Sequence, residues 1–249
     1  MNNIKQLPPA FLKARLDLIN RELTQLPSIR IGKHGNVEVI RAYKFSYDHR
    51  KYTEYKLTSK KGQLLMSKYE FREKLLSIKK QLEAILPSPP APSILDPQLN
   101  TPLFGVEFWN SLKSQSNKYK SDSVYEYKNY RMRSRGEVII AQVLDSLGLM
   151  YKYEPIIRIG SEYYSPDFVV YLPELRRCFI IEFLGRLDDD DYLNDNLPKI
   201  GAYLKYGMII NKDLLLYCGY EKRMVSPDEV LDDLVSLIRK LCRMHSVNQ

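Results

Sequence analysis

Apolar residues recur along this chain with two different periods. Near the start, Leu12, Leu16, Ile19, Leu23 and Leu26 are spaced 4, 3, 4 and 3 residues apart. Phe71, Leu75, Ile78, Leu82 and Ile85 repeat that spacing, and Leu64 extends it one heptad back. Such spacing places the apolar positions on one stripe of a helix. Two short helices with matching stripes are expected to pair antiparallel within the chain, with a homodimer through the same stripes as the alternative. Between them the period changes to that of strands. Residues 29–33 and 37–45 flank the hairpin turn His34-Gly35-Asn36, and a third strand over 52–57 follows a turn at 48–51, making a small β-meander.

A proline-rich tract then interrupts the pattern. Residues 87–93 read PSPPAPS, followed by Asp96-Pro97 and Thr101-Pro102. Proline at this density cannot continue a helix or enter a central strand, and it favours an extended, semi-rigid connector. The chain is therefore expected to divide into a module over 1–86, a linker over 87–103 and a second domain over 104–245.

Helix and strand periods mix in the second domain. Val138, Ile139, Val143, Leu144 and Leu147 form the apolar face of a helix over 134–148, stopped by Gly148. Strands are expected at 156–159, 168–172, 178–184, 208–210 and 214–217, with turns at 161–164 and 172–174. A helix over 191–206 contains Pro198, and the acidic run 188–191 before it reads as a solvated loop. Ser226-Pro227-Asp228-Glu229 opens a final helix, with serine as N-cap, proline first and glutamate third. Its residues Leu231, Leu234, Leu237, Ile238 and Leu241 face the core. The fold class is α/β.

Composition narrows the classes without naming one. The chain has 249 residues, 44% hydrophobic and 27% charged, which is ordinary globular composition with room for two modest domains. There is no apolar run of membrane-spanning length, and the first residues lack the apolar stretch of a secretory signal. Cys178, Cys218 and Cys242 are widely spaced and read as reduced thiols. The expected location is the cytoplasm, with no membrane partner. The histidines, His34, His49 and His245, have no zinc-like spacing, and no glycine-rich phosphate loop is present.

Charge is uneven. Residues 1–86 carry 18 Lys and Arg against 8 Asp and Glu, a net of +10, and the rest carries 20 against 22, a net of −2. A basic module beside a neutral, acid-containing one suggests that one part attracts a polyanion and the other acts on it. A merely solubilising basic surface is the alternative. Within the basic part, residues 41–56 interleave Arg41, Lys44, Arg50, Lys51 and Lys56 with Tyr43, Phe45, Tyr47, Tyr52 and Tyr55. Cations can neutralise phosphates while rings stack on bases. The same pattern also suits a small sheet whose aromatics form its own core, and both readings stay open.

Three acids stand out by context. Glu137 lies in the first turn of an otherwise apolar helix, where it could simply complement the helix N-terminus. Asp167 follows Pro166 directly before the apolar strand FVVYL, where it could be a turn residue. Glu182 is embedded in CFIIEFL. A charged carboxylate inside such a strand costs several kcal/mol without a partner. Glu182 therefore requires a cation, a hydrogen-bond network or a metal. Mg²⁺ takes oxygen ligands that carboxylates on neighbouring strands supply, and it can polarise a phosphate and lower the pKa of an attacking water.

These motifs occur in a telling order: Ser134-Arg-Gly-Glu137 with Ile140-Ala141, Tyr153-Glu154, Ser165-Pro-Asp-Phe168, Ile181-Glu-Phe-Leu-Gly185, then Lys199 and Tyr203. From about Phe104 to Leu241 the chain resembles the PD-(D/E)XK nucleases of the restriction-endonuclease-like fold. It is similar to uncharacterised bacterial members with an N-terminal helical extension. The resemblance implies a central mixed sheet flanked by helices and Mg²⁺- or Mn²⁺-dependent cleavage of phosphodiester bonds, with DNA as the expected partner. It makes Asp167 and Glu182 metal ligands, joined by the backbone carbonyl of Phe183. Glu137 becomes the helix-borne acid, at a second ion or orienting the first. One position departs from the family pattern: the lysine wanted two residues after the second acid is Leu184. Lys199 is the candidate replacement, with Tyr203 one turn on and on the same face, available to nucleic acid. Arg186 is the second candidate. The rival reading, motivated by Leu184, is a nuclease-like protein that binds nucleic acid without cutting it.

Overall fold

The stripes near the N-terminus fold as helices, and the stretch between them as a sheet, in a computed structural model describing residues 3–45, 48–86, 105–114, 123, 125–220 and 225–246. The chain packs as two compact units, Leu12–Ser93, and Met1–Phe11 together with Ile94–Gln249.

The first unit holds most of helix α1 (Pro9–Gln25), strands β1 (Ser28–His34), β2 (Val37–Phe45) and β3 (Asp48–Lys56), and helix α2 (Lys60–Ile85). The strands form an antiparallel meander in the order β1-β2-β3. Gly35 has a φ of 60°, which the tight β1–β2 turn demands and glycine adopts without steric cost. The turn expected at 48–51 is instead strand, with Asp48 opposite Phe45. Arg72 Nη1 donates to the Leu23 carbonyl at 3.2 Å and Lys79 Nζ to Asn20 Oδ1 at 2.8 Å. Later positions on α2 thus meet earlier ones on α1, which is antiparallel. The heptad stripe is buried only in part. Leu12, Leu16, Ile19, Leu75 and Leu82 are buried, whereas Leu64, Phe71 and Ile85 are exposed. Length accounts for Leu64: at 1.5 Å per residue α2 runs about 39 Å and α1 about 26 Å, so the start of α2, ahead of Arg72 and its contact with Leu23, outreaches its partner.

The second unit contains helix α3 (Val106–Ser111), strands β4 (Tyr125–Tyr127) and β5 (Tyr130–Met132), helix α4 (Arg135–Ser146), strands β6 (Met150–Tyr153), β7 (Ile157–Ile159), β8 (Glu162–Tyr164), β9 (Phe168–Leu172) and β10 (Arg177–Leu184), helix α5 (Asp190–Lys205), strand β11 (Leu214–Cys218) and helix α6 (Pro227–Ser246). Its main sheet has the order β11-β10-β9-β6, with β11 parallel to β10 and the other pairs antiparallel. The protein is therefore mixed α/β, with a mixed sheet and smaller antiparallel ones. Every residue of β9 and β10 is buried, which accounts for their continuous apolar runs. On one face, Val169, Tyr171, Cys178 and Ile180 pack with Trp109 and Leu112, Ile157 and Ile159, and Ile200 and Tyr203 of α5. Strand residues alternate in direction, so Glu182 shares the α5 face with Ile180, while Phe183 points the other way and meets Gly136 of α4. α6 packs on α4 and buries Val230, Leu234, Ile238 and Leu241.

Several local expectations change. The sheet is closed at one edge by β6, for which the sequence pattern raised no strand. The strand expected at 156–159 joins β8 in a separate hairpin, so three of the four residues of the turn expected at 161–164 are strand. The strand expected at 208–210 reduces to one bridge between Ile210 and Leu214. The acidic run is not a free loop: Asp189 caps α5, its side chain accepting from Tyr192 N, and Asp190 and Asp191 fill the first turn, where the helix dipole favours them. Cys178 and Cys242 are buried and Cys218 exposed, all as free thiols. Among the described residues, no helix is long and apolar enough to cross a membrane.

Candidate active site

The strand register brings the second and third acids together. Phe168 lies opposite Ile181 and Val169 opposite Ile180, so one step further along the ladder leads to Asp167 and Glu182. Phe183 N donates to Asp167 Oδ2 at 2.6 Å, fixing the aspartate at the end of β9 against β10. A cavity of about 790 Å³ opens over this point, lined among others by Glu137, Glu154, Asp167, Glu182 and Lys199.

Glu182 is 1% exposed, and both its oxygens are engaged from α5. Lys199 Nζ donates to Oε2 at 2.7 Å and Tyr203 Oη to Oε1 at 2.8 Å. Lys199 and Tyr203 are four residues apart on one helix face, which is why a single helix supplies both. Burial, with the nearby charge of Asp167, pushes the Glu182 carboxyl up to about 8, while Lys199 and Tyr203 pull it back. Burial also acts to lower the Lys199 ammonium, but Glu182 and Asp167 outweigh it and the net shift is upward. Lys199 is thus held as a cation.

Glu137 reaches the same cavity from the start of α4 and is 4% exposed. Ser134 caps that helix: its Oγ accepts from Glu137 N at 3.2 Å and donates to Glu137 Oε1 at 2.8 Å. Glu137 Oε2 accepts from Tyr153 Oη at 2.7 Å and Arg133 N at 3.0 Å. Burial first, and the charge of Asp167 second, raise this carboxyl to about 7, against the lowering effect of those donors. Asp167 is therefore the electrostatic neighbour common to both glutamates. Three carboxyl groups share one ammonium, and the resulting negative surplus favours either a proton or a further cation.

The four residues singled out as catalytic, Glu137, Asp167, Glu182 and Lys199, all line this cavity. Tyr203 is different. It is fully buried and its hydroxyl is turned onto Glu182, so it positions that carboxylate instead of meeting nucleic acid. Arg186 lines the same cavity but pairs with Asp189 and lies over the Tyr192 ring, 5.3 Å from its centroid, whereas Lys199 pairs with Glu182. Leu184 is buried, 5% exposed. The Phe183 carbonyl accepts from Tyr192 Oη at 3.4 Å.

In the first unit, Arg41 Nε pairs with Glu54 at 2.7 Å and its guanidinium lies over Tyr52, while Arg30 lies over Tyr43. Tyr43 and Tyr52 pack on each other at 5.6 Å, and Tyr52 is 47% exposed, so this ladder of rings and cations is not a buried core. Lys56 is exposed. The side chains of Lys44, Arg50 and Lys51 lie outside the described residues.

The sequence pattern missed the cavity's arginine clamp. Arg133 pairs with Glu154, whose φ of 44° is unusual for a non-glycine residue and whose backbone N donates to the Asp167 carbonyl at 2.9 Å. Strained residues of this kind gather where the surroundings over-determine them. The only sequence signal was the Tyr153-Glu154 pair.

The donors present suit a hard divalent ion. Asp167 uses Oδ2 on the Phe183 N–H, the carboxylates carry surplus charge, and Mg²⁺ is commonly held by one or two carboxylates with water completing its shell. Among the described residues, no group of three or more His, Cys, Asp or Glu side chains is arranged to hold a metal ion. Compared with known proteins, the chain matches no family model, no curated protein and no solved structure.

Proposed function

We propose that the second unit is a PD-(D/E)XK-like, Mg²⁺- or Mn²⁺-dependent nuclease that hydrolyses phosphodiester bonds, with DNA as substrate, on a restriction-endonuclease-like arrangement of its mixed sheet. The observation that carries this reading is the ion pair between Lys199 and Glu182, 2.7 Å apart beside Asp167. It supplies from the next helix the cation that Leu184 cannot provide. Asp167, Glu182 and the Phe183 carbonyl are the ligands for the ion, and Glu137 orients this site or a second ion's water. A bound divalent ion supplies charge for a scissile phosphate and a more acidic water. Lys199 stays protonated and donates to the developing negative charge or to the attacking water. Tyr203 holds Glu182 in place, and Ser134 and Tyr153 hold Glu137.

The test is Mn²⁺-stimulated cleavage of DNA by the purified chain and by Asp167→Ala and Glu182→Gln. The expected outcome is loss of at least about a hundredfold in rate, within the range seen when transition-state charge stabilisation is removed, with circular dichroism unchanged. Cleavage at the wild-type rate by either variant overturns the assignment. A second reading, binding without cleavage, is favoured by the full occupancy of both Glu182 oxygens by protein donors. The two separate by metal titration: the nuclease reading expects Mn²⁺ to raise the melting temperature of the wild type and not of Asp167→Ala.

A further inference from the structure

Two of the groups that would act on a phosphate are almost fully buried in the wall of the cavity. Glu182 and Glu137 are 1% and 4% exposed, and the cavity above them, about 790 Å³, has the size of pockets that enclose most of a small ligand. Duplex DNA keeps its bases stacked inside and presents phosphates on a convex outer surface. Enzymes whose reacting groups sit inside a pocket take single strands or nucleotides drawn out of the stack.

Two exposed aromatic rings of the cavity lining suit unstacked bases. Tyr125, on β4, and Tyr220, just beyond β11, both line it, and they are 40% and 49% exposed. Large exposed rings in a cavity wall offer flat faces that any base can stack on. Arg133, Arg135 and Arg186 line the same cavity. Arg133 is held by Glu154, and Arg186 by Asp189 and the Tyr192 ring. Rings beside cations are the combination that tracks a single strand, with cations on the phosphates and rings on the bases.

We propose that this cavity takes an unpaired nucleic-acid segment, a single strand or a frayed end, with Tyr125 and Tyr220 as base platforms and the three arginines on its phosphates, in preference to continuous duplex. The inference rests on the nuclease reading of the same site and names its substrate class.

Binding without divalent ion tests it. The full chain is titrated, in chelator, into a fluorescent oligothymidylate and into a blunt duplex of equal length at the same salt. The single strand is expected to bind about tenfold tighter or more, and Tyr125→Ala and Tyr220→Ala are each expected to weaken it about fivefold or more. Tyr→Trp at either position restores it, and duplex binding stays put in all variants. Rescue by tryptophan separates stacking from a general loss of fold. 2-Aminopurine in the strand is quenched on binding to the wild type and less so in the alanine variants. Equal or tighter duplex binding, or alanine variants that bind the strand like the wild type, overturns the inference. Because no cleavage is required, preference for the strand without any nuclease activity sinks only the nuclease reading. Cleavage with a preference for duplex sinks only this one.

Discussion

Glu182 sits in the middle of eight consecutive buried residues, and its two hydrogen bonds come from one helix face. Removing the cation should be costly. Lys199→Met leaves the carboxyl buried with one partner, and breaking such a pair is expected to cost about 3 kcal/mol, softened to the extent that Glu182 takes up a proton. Tyr203→Phe leaves Oε1 without a donor and is expected to cost about 1–3 kcal/mol. Urea unfolding of Lys199→Met, Glu182→Gln and the double variant measures the coupling, and additive losses would show that the pair contributes nothing. Phe183 gives a steric counterpart. A Cβ on Gly136 would lie 2.3 Å from Phe183 Cζ, and a Cβ added at Gly185 or Gly219 would lie 2.8 or 2.9 Å from the same ring. The ring is packed against three glycines, so Gly136→Ala is expected to cost about 1–3 kcal/mol. Adding Phe183→Leu should return part of that, which stability measurements on the double variant would reveal.

At the scale of elements, the site depends on where three of them end or begin. β9 begins directly after Asp167, β10 carries Glu182 through the core, and α4 starts with the Ser134 cap that also fixes Glu137. Loss of an N-cap serine typically costs about 1 kcal/mol. Ser134→Ala should cost that or more, because Glu137 Oε1 loses its donor as well. Ser134→Thr should keep most of it, and urea denaturation distinguishes the two. The order of these elements was legible in the sequence because each carried its own signal. Apolar runs marked β9 and β10, the apolar face from Val138 to Leu147 with its stop at Gly148 marked α4, and Ser-Pro-Asp-Glu marked α6. The strand at Met150–Tyr153 had no such signal: MYKY is short and half polar. It is strand because it pairs with β9, with Tyr153 opposite Phe168. The acidic run before α5 misled for the opposite reason, since the same aspartates that suit a loop also cap a helix.

For the whole molecule, the buried acids link stability to pH. Glu137 and Glu182 sit at about 7 and about 8 in the folded chain, both above the ordinary carboxylate value of 4.5. The folded state therefore binds more protons than the unfolded one between about 4.5 and 8, and stability falls as pH rises through that window. One unit of such a shift corresponds to about 1.4 kcal/mol, and 1 kcal/mol moves the midpoint of a domain this size by about 2–4 °C. The metal-free protein is expected to melt several degrees higher at pH 6 than at pH 8. Mn²⁺ should narrow that gap, because a cation offsets the same charge that a proton does. Thermal melts at both pH values, with and without Mn²⁺, check this, and a melting point that rises with pH would contradict it.

Periodicity and composition carried much of this protein: the paired helices, the meander, the buried strands, the basic first third and the acids at Glu137, Asp167 and Glu182. Those are local properties, written in spacing that any helix or strand must obey. What spacing could not say was which side chains meet. Lys199 and Arg186 were equal in kind as cations, and only the packing of α5 on the Glu182 face of β10 separates them. Tyr203 had the right helical phase for a surface contact, yet the same face is pressed against the core. Arg133 and Glu154, 21 residues apart, join because one lies just before α4 and the other just after β6, and these two elements pack together. Contacts of that kind follow from register and layer packing, which bring distant segments together, and the local pattern around each residue contains no trace of them.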